Sequence, residues 1–212
     1  MSASADVIYL ADTKNAPYGT KAREELICLA EQSITRLIDC GCEHVLIACC
    51  TASTVYDALN AQARAISTPI IAPAAFSAAR VTKNGKIGVI ATESTVRSGE
   101  FEKQIKQALP VCRVTSVAAQ SLVSMVEGGG RDGSLTAAQR ETLRGILSPL
   151  IGQNIDTLIL GCTHFSHLEN EIRAYARDVR LVLPSREGVA EMIRRFGTEI
   201  LAGGGTTVYI NT

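Results

Sequence analysis

The most informative pattern in the chain is a repeated segment, His44-Val45-Leu46-Ile47-Ala48-Cys49-Cys50-Thr51 and Asp156-Thr157-Leu158-Ile159-Leu160-Gly161-Cys162-Thr163. Each copy has a polar lead-in, a short apolar run, a small residue, and then Cys and Thr. Short continuous apolar runs are typical of buried parallel strands, and the two cysteines lie 113 positions apart, about half of the chain. The repeat therefore predicts two similar α/β units. Each has a cysteine at the carboxyl end of a strand, where open α/β sheets bind ligands.

Strand-like and helix-like segments alternate along the rest of the chain. Apolar runs predict strands at 7–10, 45–48, 70–72, 87–91, 114–118, 157–160, 181–183 and 208–210. Helical spacing predicts helices over 20–40, 52–65, 74–82, 92–109 and 186–201. Further helices are predicted on both sides of a surface loop at 128–130, and from the end of the 157–160 strand to about residue 177. This alternation indicates an α/β fold with parallel sheets. We expect two Rossmann-like lobes with an active-site cleft between them. The first comprises residues 1–85 plus 185–212, and the second residues 86–184.

Composition and charge exclude several classes of protein. The 212 residues include 21 Lys and Arg against 21 Asp and Glu, so the net charge is zero, which argues against binding to nucleic acid. Aromatic residues make up only 4%, too few for a base-stacking platform. No apolar stretch reaches the ~20 residues that span a bilayer, and Met1 to Asp6 lacks the features of a signal peptide. We therefore expect a cytoplasmic protein that binds neither nucleic acid nor a membrane.

The sequence offers no pattern for a metal or an organic cofactor. A P-loop does not occur, and no glycine-rich phosphate cup or Schiff-base lysine for pyridoxal phosphate is evident. Cys40-Gly41-Cys42 is too tightly spaced for zinc, and the pair His164 and His167 stands alone. We expect neither a cofactor nor a metal.

Cys49 and Cys162 have the properties of a pair of acid–base groups. A thiol at the start of a helix is stabilised as a thiolate by the helix dipole, and its ordinary pKa of ~8.5 lies near neutral pH. A thiolate on one side of a carbon and a thiol on the other can remove a proton from one face and return one to the opposite face. The pattern predicts racemisation by two bases, with Thr51 and Thr163 as hydroxyl donors and His164 adjusting Cys162.

The alternative for any single cysteine is a buried core residue, which is the commoner role of an intracellular cysteine. Two cysteines in matching contexts favour catalysis for Cys49 and Cys162. The remaining cysteines outside the repeat, Cys28, Cys40, Cys42 and Cys112, are assigned to packing.

Together these segments resemble the glutamate racemases of the wider aspartate/glutamate racemase superfamily. The matching segments, in family order, are Tyr9-Leu10-Ala11-Asp12-Thr13, Pro17-Tyr18-Gly19, Ile47-Ala48-Cys49-Cys50-Thr51-Ala52-Ser53, Ile87-Gly88-Val89-Ile90-Ala91-Thr92, Leu122-Val123-Ser124-Met125-Val126-Glu127 and Leu160-Gly161-Cys162-Thr163-His164. The resemblance implies a cofactor-independent enzyme that interconverts L- and D-glutamate and supplies D-glutamate for peptidoglycan. A homodimer is expected only by analogy with such families.

The resemblance also implies roles for individual residues. Cys49 and Cys162 match the catalytic cysteines, His164 the histidine that assists the second cysteine, and Glu127 an acidic residue on that side. For Glu127, a solvated helix end is an equally supported alternative. The residues expected to bind substrate are Pro17, Tyr18, Gly19, Cys50, Thr51, Thr92 and Thr163.

This sequence departs from the family pattern in the first lobe. The family opens with a strand ending in Asp-Ser-Gly, which supports the first cysteine. That motif does not occur here, and nothing before Val7 matches the strand at 87–91. Cys50 replaces the usual Asn, removing an amide, and Pro184-Ser185-Arg186 stands where an acidic residue is usual. We expect weak glutamate racemisation, from either a short relative or a chain whose true start lies upstream of Met1. The alternatives are racemisation or isomerisation of another small carboxylate, and a non-catalytic relative.

Overall fold

The computed structural model describes residues 5–128 and 135–212. The β-strands are β1 (Val7–Ala11), β2 (Val45–Ile47), β3 (Ser67–Pro69), β4 (Lys86–Ala91), β5 (Arg113–Ala118), β6 (Thr157–Gly161), β7 (Arg180–Val182) and β8 (Thr207–Asn211). The α-helices are α1 (Arg23–Asp39), α2 (Cys50–Ser53), α3 (Ala61–Ile66), α4 (Ile71–Val81), α5 (Glu93–Ser98), α6 (Glu100–Ala108), α7 (Gln120–Glu127), α8 (Ala137–Ile151), α9 (Glu169–Tyr175) and α10 (Pro184–Phe196). Short 3₁₀ helices lie at Tyr18–Thr20, Tyr56–Ala58, Thr163–Leu168 and Thr198–Leu201.

All the strand pairs are parallel, which confirms the predicted fold class. One sheet has the order β5-β4-β6-β7, and two smaller sheets pair β1 with β8 and β2 with β3. The bounds of the two lobes stay a prediction.

The four-stranded sheet is buried on both faces because β4 and β6 are apolar at almost every position. Alternate residues contact different clusters: Ile90 and Leu160 pack with helices α7 and α8, whereas Val89 and Ile159 pack with α4 and α6. Such continuous apolar strands are typical of parallel sheets covered by helices on both sides. This packing fixes the carboxyl ends of β4 and β6 next to each other.

The small sheet that contains β2 packs against α1. The buried residues Leu26, Ala30 and Ile34 of this helix pack in one cluster with Val45 and Ile47 of β2. The crossover from β1 through α1 to β2 therefore brings the residues after β2, including Cys49, to a defined position beside the second lobe.

The packing of β6 explains why the residue before Cys162 is a glycine, Gly161. A side chain at Gly161 would place a Cβ 2.9 Å from the backbone oxygen of Ile90 and 2.9 Å from the ring of Phe101. Only glycine therefore allows β6 to approach β4 and the helix behind it this closely.

The predicted strand at 70–72 is wrong. The strand lies at Ser67–Pro69, and Ile70 precedes α4, which begins at Ile71. Pro73 lies in the first turn of α4, where a proline is tolerated because its missing N–H has no intrahelical partner. A short apolar run cannot be assigned to helix or strand by periodicity alone.

Several predicted helices are interrupted. The segment 52–65 contains α2, a 3₁₀ helix and α3, whose first turn is capped by Asn60. Gly99 adopts a left-handed conformation with φ 65° and separates α5 from α6. The predicted loop at 128–130 extends beyond Gly128 into positions outside the described residues. Among the helices described, none combines the length and apolar character needed to cross a bilayer.

Candidate active site

A cavity of about 1290 Å³ opens where β1, β2, β4 and β6 reach their carboxyl ends. The sequence-predicted site residues that line it are Pro17, Tyr18, Gly19, Cys49, Cys50, Thr51, Thr92, Glu127, Cys162, Thr163 and His164. The structure thus brings together all the predicted site residues, as expected when parallel strands end at one edge of a sheet. Their individual roles stay predictions.

Cys49 lies two residues after the end of β2 and is the N-cap of α2. Its backbone is extended, and its Sγ accepts a hydrogen bond from the backbone N–H of Ala52 at 3.5 Å. Burial raises the pKa of the Cys49 thiol, and hydrogen bonds from Ala52 and Thr51 partly oppose this by favouring the thiolate. Burial therefore favours the thiol of Cys49, while donors in place at the start of α2 favour the thiolate.

Cys162 follows β6 and is connected to Glu127 through His164. The Sγ of Cys162 lies 3.6 Å from His164 Nδ1, and His164 Nε2 lies 3.3 Å from Glu127 Oε1. When Nε2–H donates to the carboxylate of Glu127, Nδ1 of a neutral imidazole can accept the thiol proton. Glu127 thereby orients the ring, as carboxylates orient histidines in other sites.

Burial raises the pKa of Cys162 to about 12. The backbone N–H of His164 lowers this pKa, whereas the nearby charges of Cys49 and Glu127 raise it further. The two thiols are therefore coupled, because a thiolate at Cys49 disfavours a second thiolate at Cys162. One thiolate beside one thiol is the state that two-base proton transfer requires.

Cys50 lies at the start of α2 and is almost fully buried. It packs in the cluster that contains Ile70 and Ile71. Burial and the neighbouring charges of Cys162 and Cys49 raise its pKa well above the ordinary value. Its thiol is thus strongly held in the neutral form.

Three buried threonine hydroxyls join the residues after β2 to those after β4. Thr51 Oγ1 lies 3.0 Å from Thr92 Oγ1 and 3.1 Å from Thr95 Oγ1, and Thr92 Oγ1 donates to Thr95 Oγ1 at 2.9 Å. Thr92 also caps α5 through the backbone N–H of Thr95. Sequence reasoning missed Thr95, although its place three residues after an N-cap was a readable signal.

The loop Pro17-Tyr18-Gly19 is held beside the cavity by Asp12. Tyr18 Oη donates to Asp12 Oδ2 at 2.6 Å, and Asn15 and Thr212 also donate to this carboxylate. Burial raises the pKa of Asp12, but these hydrogen bonds outweigh it and hold that pKa below the usual value. Burial and the charge of Asp12 raise the pKa of Tyr18. Asp12 thus orders the loop.

Gly19 and Gln120 meet at the rim of the cavity. A Cβ at Gly19 would lie 3.0 Å from Gln120 Oε1 and 3.1 Å from Thr92 Cβ, so the loop approaches both side chains closely at this glycine. Gln120 Oε1 is buried and has no hydrogen-bond partner within the described residues. Sequence reasoning missed Gln120, and no local pattern distinguishes it from other helix-starting residues.

Across residues 5–128 and 135–212, no cluster of three or more His, Cys, Asp and Glu side chains has the arrangement of a metal site. The thiols, the hydroxyls and the imidazole of His164 in the cavity can donate and accept protons.

Comparison with known proteins assigns the family. The model for Asp/Glu/Hydantoin racemase matches residues 3–192. The glutamate racemase of Desulforudis audaxviator (strain MP104C) is 39% identical over 197 residues, which cover 89% of this chain and 70% of that protein. The glutamate racemase of Lactococcus lactis subsp. lactis (strain IL1403) is 35% identical over 191 residues, covering 88% and 68%.

Solved structures agree with these sequence relatives. A glutamate racemase isoform from Bacillus anthracis superposes with a TM-score of 0.84 at 30% identity, covering 97% of this chain and 77% of that one. The glutamate racemase of Francisella tularensis subsp. tularensis SCHU S4, solved in complex with D-glutamate, has a TM-score of 0.83 at 29% identity, covering 98% and 78%. The resemblance predicted from the motifs is confirmed, and the chain belongs to the family of aspartate, glutamate and hydantoin racemases.

Proposed function

We propose that this protein interconverts L- and D-glutamate, without a cofactor, by moving the α proton between Cys49 and Cys162. The observation that carries this proposal is the pair of coupled thiols in one cavity, each following the matching strand of its lobe. In this proposal the first lobe, which comprises residues 1–85 and 185–212, carries Cys49. The second lobe, which comprises residues 86–184, carries Cys162.

The choice of glutamate is supported by the relatives. Sequence relatives at 34–39% identity are named glutamate racemases, and the related structure from Francisella tularensis contains D-glutamate. The threonine hydroxyls and backbone N–H groups that follow each cysteine suit a substrate carboxylate, because they present donors at one edge of the cavity.

The proton transfer proceeds in two balanced steps. The thiolate of one cysteine removes the α proton and becomes a thiol, leaving a carbanion that the substrate carboxylate stabilises. The thiol of the other cysteine then donates its proton to the opposite face of the α carbon and becomes a thiolate. The reverse reaction exchanges the roles of the two cysteines. When Cys162 is the base, His164, with its ring oriented by Glu127, first accepts the thiol proton of Cys162. After Cys49 has donated its proton to the substrate, the proton on His164 passes through solvent to the Cys49 thiolate and restores the starting state.

We also propose a cellular role for the product. D-Glutamate made in the cytoplasm is a building block for peptidoglycan. The enzyme acts as a homodimer in this reading, by analogy with its relatives.

A substrate screen tests the proposal. Purified protein is incubated with the separate enantiomers of glutamate, aspartate and other small amino acids. The loss of the circular dichroism signal of each enantiomer measures racemisation. The proposal expects glutamate to racemise fastest from both directions. Faster turnover of another carboxylate would assign a different substrate, and an unchanged signal with every compound would indicate a binding protein.

A further inference from the structure

One wall of the cavity is formed by α7. Gln120, Val123 and Glu127 of this helix line the cavity. Residues three and four positions apart share one face of an α-helix, so these three side chains form a stripe along the wall. Gln120 begins the stripe and Glu127 ends it, about 10 Å apart along the axis at 1.5 Å per residue. The two ends of α7 therefore face different parts of the cavity.

The Glu127 end of α7 lies at the proposed reacting centre. Glu127 Oε1 is 3.3 Å from His164 Nε2, and His164 Nδ1 is 3.6 Å from Cys162 Sγ. In the proposed function these groups act at the α carbon of the substrate. Since the length of α7 separates Gln120 from them, Gln120 faces a part of the substrate that lies away from the α carbon.

Gln120 lies against two residues that are expected to bind substrate. A Cβ at Gly19 would be 3.0 Å from Gln120 Oε1 and 3.1 Å from Thr92 Cβ. Thr92 Oγ1 in turn lies 3.0 Å from Oγ1 of Thr51, which is two residues after Cys49. Thr92 therefore connects Gln120 with the segment that follows Cys49. We call the group formed by Gly19, Thr92 and Gln120 the distal corner of the cavity.

The carboxamide of Gln120 has unused hydrogen-bonding capacity. Its Oε1 is buried and has no hydrogen-bond partner within the described residues. Buried polar atoms without a partner are uncommon in folded proteins, because nothing offsets the loss of their hydration. A buried, unpartnered carboxamide that lines a cavity indicates a group that hydrogen-bonds a ligand.

The charges around the cavity restrict how a carboxylate can bind there. Among the described residues that line the cavity, none is Lys or Arg. A carboxylate of the substrate must therefore be bound by neutral donors, which are backbone N–H groups, hydroxyls and carboxamide N–H groups. Gln120 is the residue of the distal corner that carries a carboxamide.

The Gln120 carboxamide can present either of its ends to a ligand. Its oxygen and nitrogen exchange places by a half-turn about the last side-chain torsion, which has a broad, roughly two-fold preference. After this turn Nε2 offers two N–H donors where Oε1 was. Hydrogen bonds to a charged acceptor are stronger than those between neutral groups. The distal corner therefore suits a carboxylate at the far end of an extended substrate.

We propose that Gln120 is a specificity-determining residue whose carboxamide donates a hydrogen bond to the side-chain carboxylate of the substrate. This inference rests on the proposed function and deepens it. The substrate class is α-amino acids with a second carboxylate, and the length of the Gln120 side chain sets the distance between that carboxylate and the α carbon. Gln120 takes no part in the transfer of the proton.

Gln120→Met tests the contact with glutamate. Methionine is also unbranched and of similar length, but it has neither the N–H donors nor the carbonyl oxygen. The Kd of glutamate, measured by isothermal titration calorimetry, should rise at least about tenfold, as expected for loss of a hydrogen bond to a charged group. Gln107→Met is the matched control, because Gln107 is exposed on α6 and does not line the cavity. This control should leave the Kd unchanged.

Thermal melting separates a role in binding from a role in folding. Replacing an unpartnered buried polar atom by an apolar one should not destabilise the protein. The Tm of ligand-free Gln120→Met should therefore equal or exceed that of the parent chain, while its affinity for glutamate falls.

Gln120→Asn locates the contact along the substrate. Asparagine carries the same carboxamide one methylene closer to the backbone, and 2-aminoadipate carries its second carboxylate one methylene farther from the α carbon than glutamate does. The ratio of the Kd of glutamate to the Kd of 2-aminoadipate should therefore rise at least about tenfold in Gln120→Asn relative to the parent. The two ligands have the same charge and the same α groups, so a contact with those groups, or a purely structural role, would weaken both equally.

Calorimetry does not require turnover, so it tests Gln120 separately from racemisation. The proposal is overturned if Gln120→Met binds glutamate as tightly as the parent, or if Gln120→Asn leaves the ratio of the two Kd values unchanged. A parent chain that binds neither ligand would overturn this proposal and the proposed function together. A parent chain that binds glutamate, with the expected changes in both variants, but does not racemise it would support the role of Gln120 and contradict only the proposed function.

Discussion

At the residue scale, the two cysteines lie in different surroundings. Cys49 has backbone donors from the start of α2, whereas Cys162 has His164 and, behind it, Glu127. Hydrogen bonds from Ala52 and Thr51 favour the thiolate of Cys49, and the backbone N–H of His164 favours that of Cys162, while burial favours the thiol in both and the charge of Glu127 further disfavours a thiolate at Cys162. The proton can therefore rest on either side, as a reversible reaction between mirror-image substrates requires.

Both cysteines should be needed for turnover. Cys49→Ser and Cys162→Ser should each lower kcat at least ~100-fold, because a serine hydroxyl cannot replace a thiolate as the base. The exposed Cys28 and the buried Cys112 provide matched controls, and their serine variants should retain nearly full activity. Initial rates from both enantiomers measure this. Turnover near the parent rate in Cys49→Ser or Cys162→Ser would exclude two-base transfer.

The thiols of Cys49 and Cys162 should lose their protons at a higher pH than an ordinary thiol. Burial raises the pKa of both Cys49 and Cys162, the latter to about 12, so thiolate forms only as the pH rises above the ordinary range. Their rates of alkylation by iodoacetamide, followed by mass spectrometry, should still increase above pH ~10, where a free thiol of pKa ~8.5 has nearly reached its plateau. A plateau below pH 8 would show that the bare site already stabilises a thiolate.

His164 should affect the two directions of reaction unequally. His164→Asn should lower kcat by roughly tenfold in the direction in which Cys162 is the base, less than loss of a direct acid–base group. The reverse kcat should fall less, and the KM values must compensate because the equilibrium constant cannot change. Steady-state kinetics of both enantiomers give the four parameters. Equal fractional changes in both kcat values and both KM values would leave His164 with a structural role only.

At the element scale, the repeated strand-Cys-Thr segments predicted β2, β6 and the placement of both cysteines, because a short buried strand before a helix leaves a strong local pattern. The position of β3 and the break between α5 and α6 were not predicted, because the local sequence patterns at these two places are weaker. A run such as Ile70-Ile71-Ala72 is buried in either conformation, and only the tertiary packing of α4 determines which forms.

The candidate site likewise contains some features that local sequence patterns predict and others that they do not. Its cysteines and threonines follow from strand ends, but the contact between Thr51 and Thr95 joins residues from separate elements. The unpartnered oxygen of Gln120 likewise depends on how α7 packs against the Gly19 loop. Neither contact has a local sequence pattern.

Gly161 should be required for the packing of β6. Gly161→Ala should destabilise the protein by about 1–3 kcal/mol, because the new Cβ meets backbone and ring atoms that are fixed in the core. Gly145→Ala is the matched control: it lies in α8 with open space around its Cβ, and it should stabilise by about 0.4–1 kcal/mol. Urea unfolding followed by circular dichroism measures both. Equal midpoints for the two variants would mean that β6 is not closely packed at Gly161.

At the scale of the whole molecule, the two lobes meet where their strands end. Thr51, after β2, is hydrogen-bonded in the interior to Thr92 and Thr95, after β4, and Cys49 and Cys162 line one cavity. Among the described residues, β1 with β8 and β2 with β3 form two small sheets, whereas β5, β4, β6 and β7 form one continuous sheet.

Two-base transfer between Cys49 and Cys162 is tested most directly by solvent deuterium. The enzyme is incubated with L-glutamate in D₂O, and α-deuterium is measured early in the reaction in the residual L-glutamate and in the D-glutamate formed. Because the cysteine that removes the proton differs from the one that donates, D-glutamate should carry deuterium in essentially every molecule while the residual L-glutamate stays unlabelled. The reaction from D-glutamate should give the mirror-image result. Comparable labelling of both enantiomers at early times would indicate a single base that exchanges with solvent, and would contradict proton transfer between two cysteines.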